Sequence, residues 1–250
     1  MNTQSYRRKA LAGALPAPLD RIRLGIGGDT PLVGYGGEED PGAMDWWGEA
    51  TITVYPGEED DEPDAGWWER EDVALEKAVV DGNLKLTVLR ASGLLVDLSR
   101  VKNVYDALDA RSADYTVFCP MFEGPRNLEL VEELQEKLAS FGSQVVLVDR
   151  VRLAPAWRGH GGVGRLLTAR LLRWVCLEAR AVALMPSPIA LDEKQQEDEA
   201  AFEQEMAKVR RTWKSLGFKP FGKDILVMDP AMVYHDEAVK KLGRKLCLPQ

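Results

Sequence analysis

The sequence predicts an α/β fold, a single mixed domain preceded by an irregular, acidic N-terminal extension. Three observations predict it. The chain has 250 residues, 45% hydrophobic and 29% charged, which suffices to bury a sizeable core. From residue 143 onward, stretches with a period of two alternate with stretches spaced by three and four, in the order β, loop, α, β, α, β. No internal repeat and no long linker separates two independent units. The expected division is an extension over 1–48, a domain over 49–235 with its motif-bearing part at 143–230, and a C-terminal tail over 236–250.

The extension is punctuated by Gly and Pro and shows little periodicity. Its Gly25, Gly27 and Gly28 look like a fragment of a nucleotide loop, but no clear strand precedes them and no helix follows. Glu49–Tyr55 alternates Thr with apolar residues as a strand does, and an acidic loop over 56–66 follows. Val73–Leu98 reads as two or three strands broken at Asp81-Gly82-Asn83 and Ala91-Ser92-Gly93. Lys102–Met121 reads as mostly helical. The spacing of Leu128, Val131, Leu134 and Leu138 predicts a helix over Asn127–Phe141, stopped by Gly142. Ser143–Leu153 is β-rich and leads through a glycine loop into an apolar helix over Val163–Arg180. Ala181–Met185 is a short strand closed by Pro186-Ser187-Pro188. Phe202, Met206, Val209, Trp213 and Leu216 mark one face of a last helix ending at Gly217, and Ile225–Met228 is the final strand.

The net charge is −8, but residues 36–72 hold fourteen acids against Arg70 alone, so the rest of the chain is mildly basic. General binding of nucleic acid is excluded by this balance, whereas one local polyphosphate site is not. The acidic window is read either as a solvated loop or as an electronegative mouth for a cationic amine, polyamine or basic peptide. Trp46-Trp47 and Trp67-Trp68 flank it, placed either for cation–π contact or to anchor the extension to the domain or to a second subunit, which would make a homodimer. Cys119, Cys176 and Cys247 are odd in number and far apart, with only His160 and His235 as co-ligands, so neither a disulfide framework nor a structural metal site is expected. No signal-peptide core and no apolar run of about 20 residues occurs, so no membrane contact is expected and the cytoplasm is the expected compartment.

The segment with specific chemistry runs from Leu153 to Leu167, where Gly159, Gly161, Gly162 and Gly164 join a strand to a helix. Such glycines let backbone N–H groups face outward, and the helix start adds its positive dipole end, a geometry suited to a pyrophosphate. Arg158 and Arg165 add guanidinium groups that match phosphate oxygens. No Gly-Lys-Ser/Thr follows as a P-loop requires, and the three-glycine spacing of a Rossmann loop is not matched.

This segment resembles the signature of the GCN5-related N-acetyltransferase (GNAT) family, Gln/Arg-x-x-Gly-x-Gly/Ala at a strand-to-helix loop. Arg158 to Gly164 approximate it, with Pro155 ahead and Leu166-Leu167 behind. Trp213-Lys214-Ser215-Leu216-Gly217-Phe218 matches a second family feature, an aromatic residue four before Gly-Phe. The resemblance covers residues 84–230 and is stronger in the second half. Two departures stand out: Val163 occupies the sixth signature position, which a one-residue insertion repairs, and Trp213 stands where the family often has a Tyr that protonates the departing thiolate. An indole N–H cannot do so.

The resemblance implies a mixed, mostly antiparallel sheet flanked by helices and acetyl transfer from acetyl-CoA to an amine, without metal or covalent enzyme intermediate. It places the backbone of Arg152, Leu153 and Ala154 on the pantetheine arm. Arg158, Gly159, His160, Gly161, Gly162, Val163, Gly164 and Arg165 surround the pyrophosphate. The acceptor is a small-molecule or peptide amine. An amine must lose a proton before attack, and Asp149, on the face of Val151 and Leu153, is the candidate base, the alternative being a surface acid paired with Arg150 or Arg152. Trp213 is either catalytic or core, and His160 packs near phosphate. His235 reads as an exposed bystander. The rival reading is a catalytically silent module of the same fold that binds CoA or a partner protein.

Overall fold

The computed structural model describes residues 15–29, 42–55, 66–126, 128–188, 198–231, 233–246 and 248. The acids at 38–40 and 58–64, most of the expected acidic loop, and Cys247 lie outside these residues. Among the described residues eight strands form one sheet: β1 (Arg23–Asp29), β2 (Ala43–Val54), β3 (Glu76–Val80), β4 (Asn83–Asp97), β5 (Gln144–Leu153), β6 (Ala179–Leu184), β7 (Lys219–Phe221) and β8 (Ile225–Met228). Their order is β1-β2-β4-β5-β6-β8-β7, with β3 paired to β4 off this path. Every pairing is antiparallel except β5 with β6. This is a mixed α/β fold with a mostly antiparallel sheet flanked by helices, the architecture expected from the resemblance.

Five α-helices are described: α1 (Val104–Asp109), α2 (Glu132–Gln135), α3 (Val163–Val175), α4 (Glu199–Lys214) and α5 (Val233–Lys245). The alternation of side chains along the strands gives two cores, one on each face. Trp46, Ile52, Val88, Val146 and Val148 pack with Leu166, Leu171 and Leu172 of α3 on one face. Leu94, Val96, Val145, Leu147, Ala181 and Ala183 pack with Leu108, Phe118 and Leu134 on the other. The parallel β5–α3–β6 crossover fixes which strand end faces the glycine loop. No helix among the described residues is long and apolar enough to cross a membrane.

Several expected elements are corrected. The arm expected to be irregular contains β1, paired with β2 from Arg23↔Thr51 to Asp29↔Asp45, and β2 begins at Ala43 rather than Glu49. Its glycines hide the alternation. At Gly27 a Cβ would lie 2.4 Å from the Trp47 ring, so a bare backbone lets the indole lie across the strand. At the expected break at 91–93 β4 instead runs on unbroken, and β5 bulges opposite it, the register shifting between Ser92 and Gly93. A Cβ at Gly93 would sit 1.9 Å from the Leu147 carbonyl oxygen. That carbonyl accepts the Trp46 indole N–H at 3.1 Å, so the interrupted ladder is satisfied from β2.

The helix expected over Asn127–Phe141 shrinks to α2. A bridge between Phe122 and Leu130 holds its start, and Asp229 accepts from the Ala139 N–H and Ser140 hydroxyl at its end. Leu134 remains buried and Leu128, Val131 and Leu138 partly so, which means that the spacing reports burial rather than helix. The expected helix over Lys102–Met121 divides into α1 and a 3-10 segment over Ala113–Met121 containing Pro120. The helix expected to reach Arg180 ends at Val175, and β6 starts at Ala179. The C-terminal tail is largely α5, packed on α3. His235, expected to be exposed, is 6% exposed, its ring between the carbonyls of Ala169 (Nε2, 3.0 Å) and Leu216 (Nδ1, 3.3 Å).

Candidate functional site

β5 runs beside β6 only as far as Val148↔Leu184, whereas it stays paired with β4 to Leu153↔Leu89. Beyond Leu184 the chain leaves the sheet toward Pro186, so the two parallel strands part and one side of Asp149–Leu153 has no strand neighbour. A cavity of about 1010 Å³ opens there. It is lined by Val148, Asp149 and Val151 to Leu153 of β5, the whole glycine loop, Leu184 and Met185, the α4 face carrying Val209 and Trp213, and Lys245. Every sequence-predicted site residue except Ala154 lines it.

The loop is built from conformations that glycine favours. Gly159, Gly161 and Gly162 have φ of +78°, +68° and +113°. The Trp157 N–H donates to the Ala154 carbonyl and the Gly161 N–H to the Gly159 carbonyl. Gly162 caps α3 without a side-chain bond, and the first helical donor of the cap is Leu166, bonded to the Gly162 carbonyl. The N–H groups of Val163, Gly164 and Arg165 therefore precede the helical ladder at its positive end. Leu153 reaches to 3.0 Å from where a Cβ at Gly164 would stand, so strand and helix meet closely. Trp157, 1% exposed, pins the loop through its indole N–H to the Val73 carbonyl at 2.8 Å.

The arginines are engaged within the protein. Arg158 Nε donates to the Leu153 carbonyl at 3.1 Å, and Arg165 donates to Ser215 Oγ at 3.0 Å. The Ala154 N–H donates to the Val88 carbonyl at 2.8 Å and is spent on the sheet. Val163 is buried, and His160 is half-buried and lines the cavity. Among the described residues no group of three or more His, Cys, Asp or Glu side chains is arranged to hold a metal ion.

Asp149 is the residue that the bulge leaves without a partner on β4. Its carboxylate faces Arg150 at 3.6 Å. Burial raises its pKa above the usual carboxylate value, Arg150 lowers it and Asp114 raises it further. Tyr115, from the 3-10 segment, stands near enough to feel it: burial first, then Asp149 and Asp45, push the phenol above its ordinary range. Trp213 meets Phe218 edge-on, with ring centroids 5.2 Å apart and planes at 73°. Of the flanking tryptophans, Trp46 is buried, Trp67 and Trp68 pack against each other and the core edge, and Trp47 stays 44% exposed.

Sequence reasoning missed Lys245. It belongs to no motif and arrives from a helix that packs onto the sheet from elsewhere in the chain. The chain matches no known protein family, no curated protein and no solved structure.

Proposed function

We propose that this protein is an acetyl-CoA-dependent N-acetyltransferase that transfers the acetyl group directly to an amine. The observation that carries the reading is the parting of two parallel strands at Val148 and Leu184, opening onto a loop with three positive-φ glycines at a helix start. A long thioester fits such a groove. Its diphosphate end would meet the N–H groups of Val163, Gly164 and Arg165, and its pantetheine arm would lie along the unpaired side of β5. A backbone N–H beside the bulge would polarise the thioester carbonyl. In the transfer a neutral amine attacks the carbonyl carbon, the carbon–sulfur bond breaks, and the departing thiolate takes up the proton that the acylated nitrogen loses. In this reading Asp149 would receive the proton that the ammonium sheds, and its raised pKa, caused first by burial, supports that role.

Acetyl-CoA and CoA are expected to raise the midpoint of thermal unfolding, and ATP and NAD to leave it unchanged. At a concentration 100 times Kd the gain is about 2.7 kcal/mol. A protein stabilised equally by all four, or by none, would contradict the reading.

Trp213 favours the second reading, a silent module, because its indole packs on Phe218 and has no acidic proton to give. Trp213→Tyr separates the two. In an active enzyme lacking its acid, the phenol is expected to raise turnover on a good amine without changing acetyl-CoA affinity. A well-folded variant with no turnover at all would favour the module.

A further inference from the structure

Resting on the acetyl-CoA reading, we propose that Lys245 recognises a phosphate monoester on the ligand, the 3′-phosphate that distinguishes CoA from dephospho-CoA. The residue belongs to the last turn of α5, and α5 is held firmly. His235 sits buried between carbonyls of α3 and of the turn after α4, and Leu242 and Leu246 are buried beside α3. Leu242 reaches 2.8 Å from the point where a Cβ of residue 162 would stand, so α5 forms a wall of the glycine loop. One turn later, Lys245 Nζ lies 3.9 Å from the corresponding point at Gly161, and its side chain lines the cavity.

Of the other cations that line the cavity, Arg158 is bonded to the Leu153 carbonyl, Arg165 to Ser215 and Lys208 to Glu205, while Arg152, exposed on β5 at the strand side of the cavity, has no side-chain partner among the described residues. Lys245 is exposed and forms neither a hydrogen bond nor an ion pair with any described residue. Its place on the loop also assigns the group that it takes. Backbone N–H groups at the start of α3 suit the diphosphate, while Lys245 stands beside Gly161, upstream of that helix start. A phosphate monoester carries nearly two negative charges at neutral pH and suits a mobile ammonium, a point charge with three donors.

Calorimetric titration of CoA and dephospho-CoA into the wild-type protein, Lys245→Gln and Lys245→Arg tests this. Lys245→Gln is expected to weaken CoA about tenfold, the loss of one charge-assisted contact, and to leave dephospho-CoA unchanged. Lys245→Arg should retain most of the preference for CoA. Equal weakening of both ligands, or of neither, would overturn the assignment of Lys245 while leaving the acetyl-CoA reading in place. Wild-type protein that binds neither ligand would overturn that reading and this inference together.

Discussion

Trp157→Ala is expected to lower the free energy of unfolding by about 3–5 kcal/mol, the range for removing a large buried aromatic side chain. The ring is 1% exposed, and its indole N–H is the donor to the Val73 carbonyl. Trp157→Phe keeps most of the volume but leaves that carbonyl without its donor, and should cost about 1–3 kcal/mol. Urea unfolding followed by circular dichroism measures both. The tryptophan also ties the glycine loop to the short turn over Glu71–Val73, so acetyl-CoA affinity should fall in the alanine variant even where it is fully folded. A loss of stability below that of the phenylalanine variant would refute the anchoring role.

Gly162→Val is expected to weaken acetyl-CoA by about a hundredfold or more, equivalent to roughly 2.7 kcal/mol. Valine is strained at φ +113°, and its Cβ would stand 2.8 Å from Leu242 and 2.9 Å from Arg165. Relief requires α5 or the Arg165 side chain to move, and either changes the cap from which α3 begins. Gly159→Ala provides the contrast. Its φ of +78° is also positive, but nothing lies within 4 Å of the added Cβ, so the expected cost is about 1 kcal/mol of stability with affinity close to wild type. Calorimetric titration of the three proteins separates blocked space from backbone strain. Equal affinities for Gly162→Val and wild type would remove the loop from the ligand site.

Much of the central architecture was legible because its pattern is local. The alternation in Gln144–Leu153, the glycines after Pro155 and the apolar face of α3 lie next to one another in sequence, and each is dictated by its own periodicity or turn chemistry. β1 was illegible because three of its seven residues are glycine, so no alternating side chains report its pleat. The break expected at Ala91-Ser92-Gly93 was a correct reading of an irregularity with the wrong consequence. A glycine that permits a bulge and a glycine that ends a strand look alike until the neighbouring strand is known. The leucines from Leu128 to Leu138 carried helical spacing because they face the core, but tertiary contacts through Asp229 and Leu130 decided the backbone. The candidate site divides in the same way. Its loop was readable, whereas the placing of Leu242 and Lys245 depends on long-range packing that one-dimensional patterns do not encode.

The docking of α5 has a consequence for how the domain is made. During synthesis from the N-terminus, the sheet strands β1 to β6, the glycine loop and α3 all emerge before the helix that walls the loop. Until Leu242 and Leu246 arrive, the space beside Gly162 stands open to water and the apolar side of α3 that they cover is bare. A nascent chain can therefore hold most of its hydrogen-bonded ladder and still lack a finished glycine loop. Such a partly made chain exposes apolar surface that favours association with other chains.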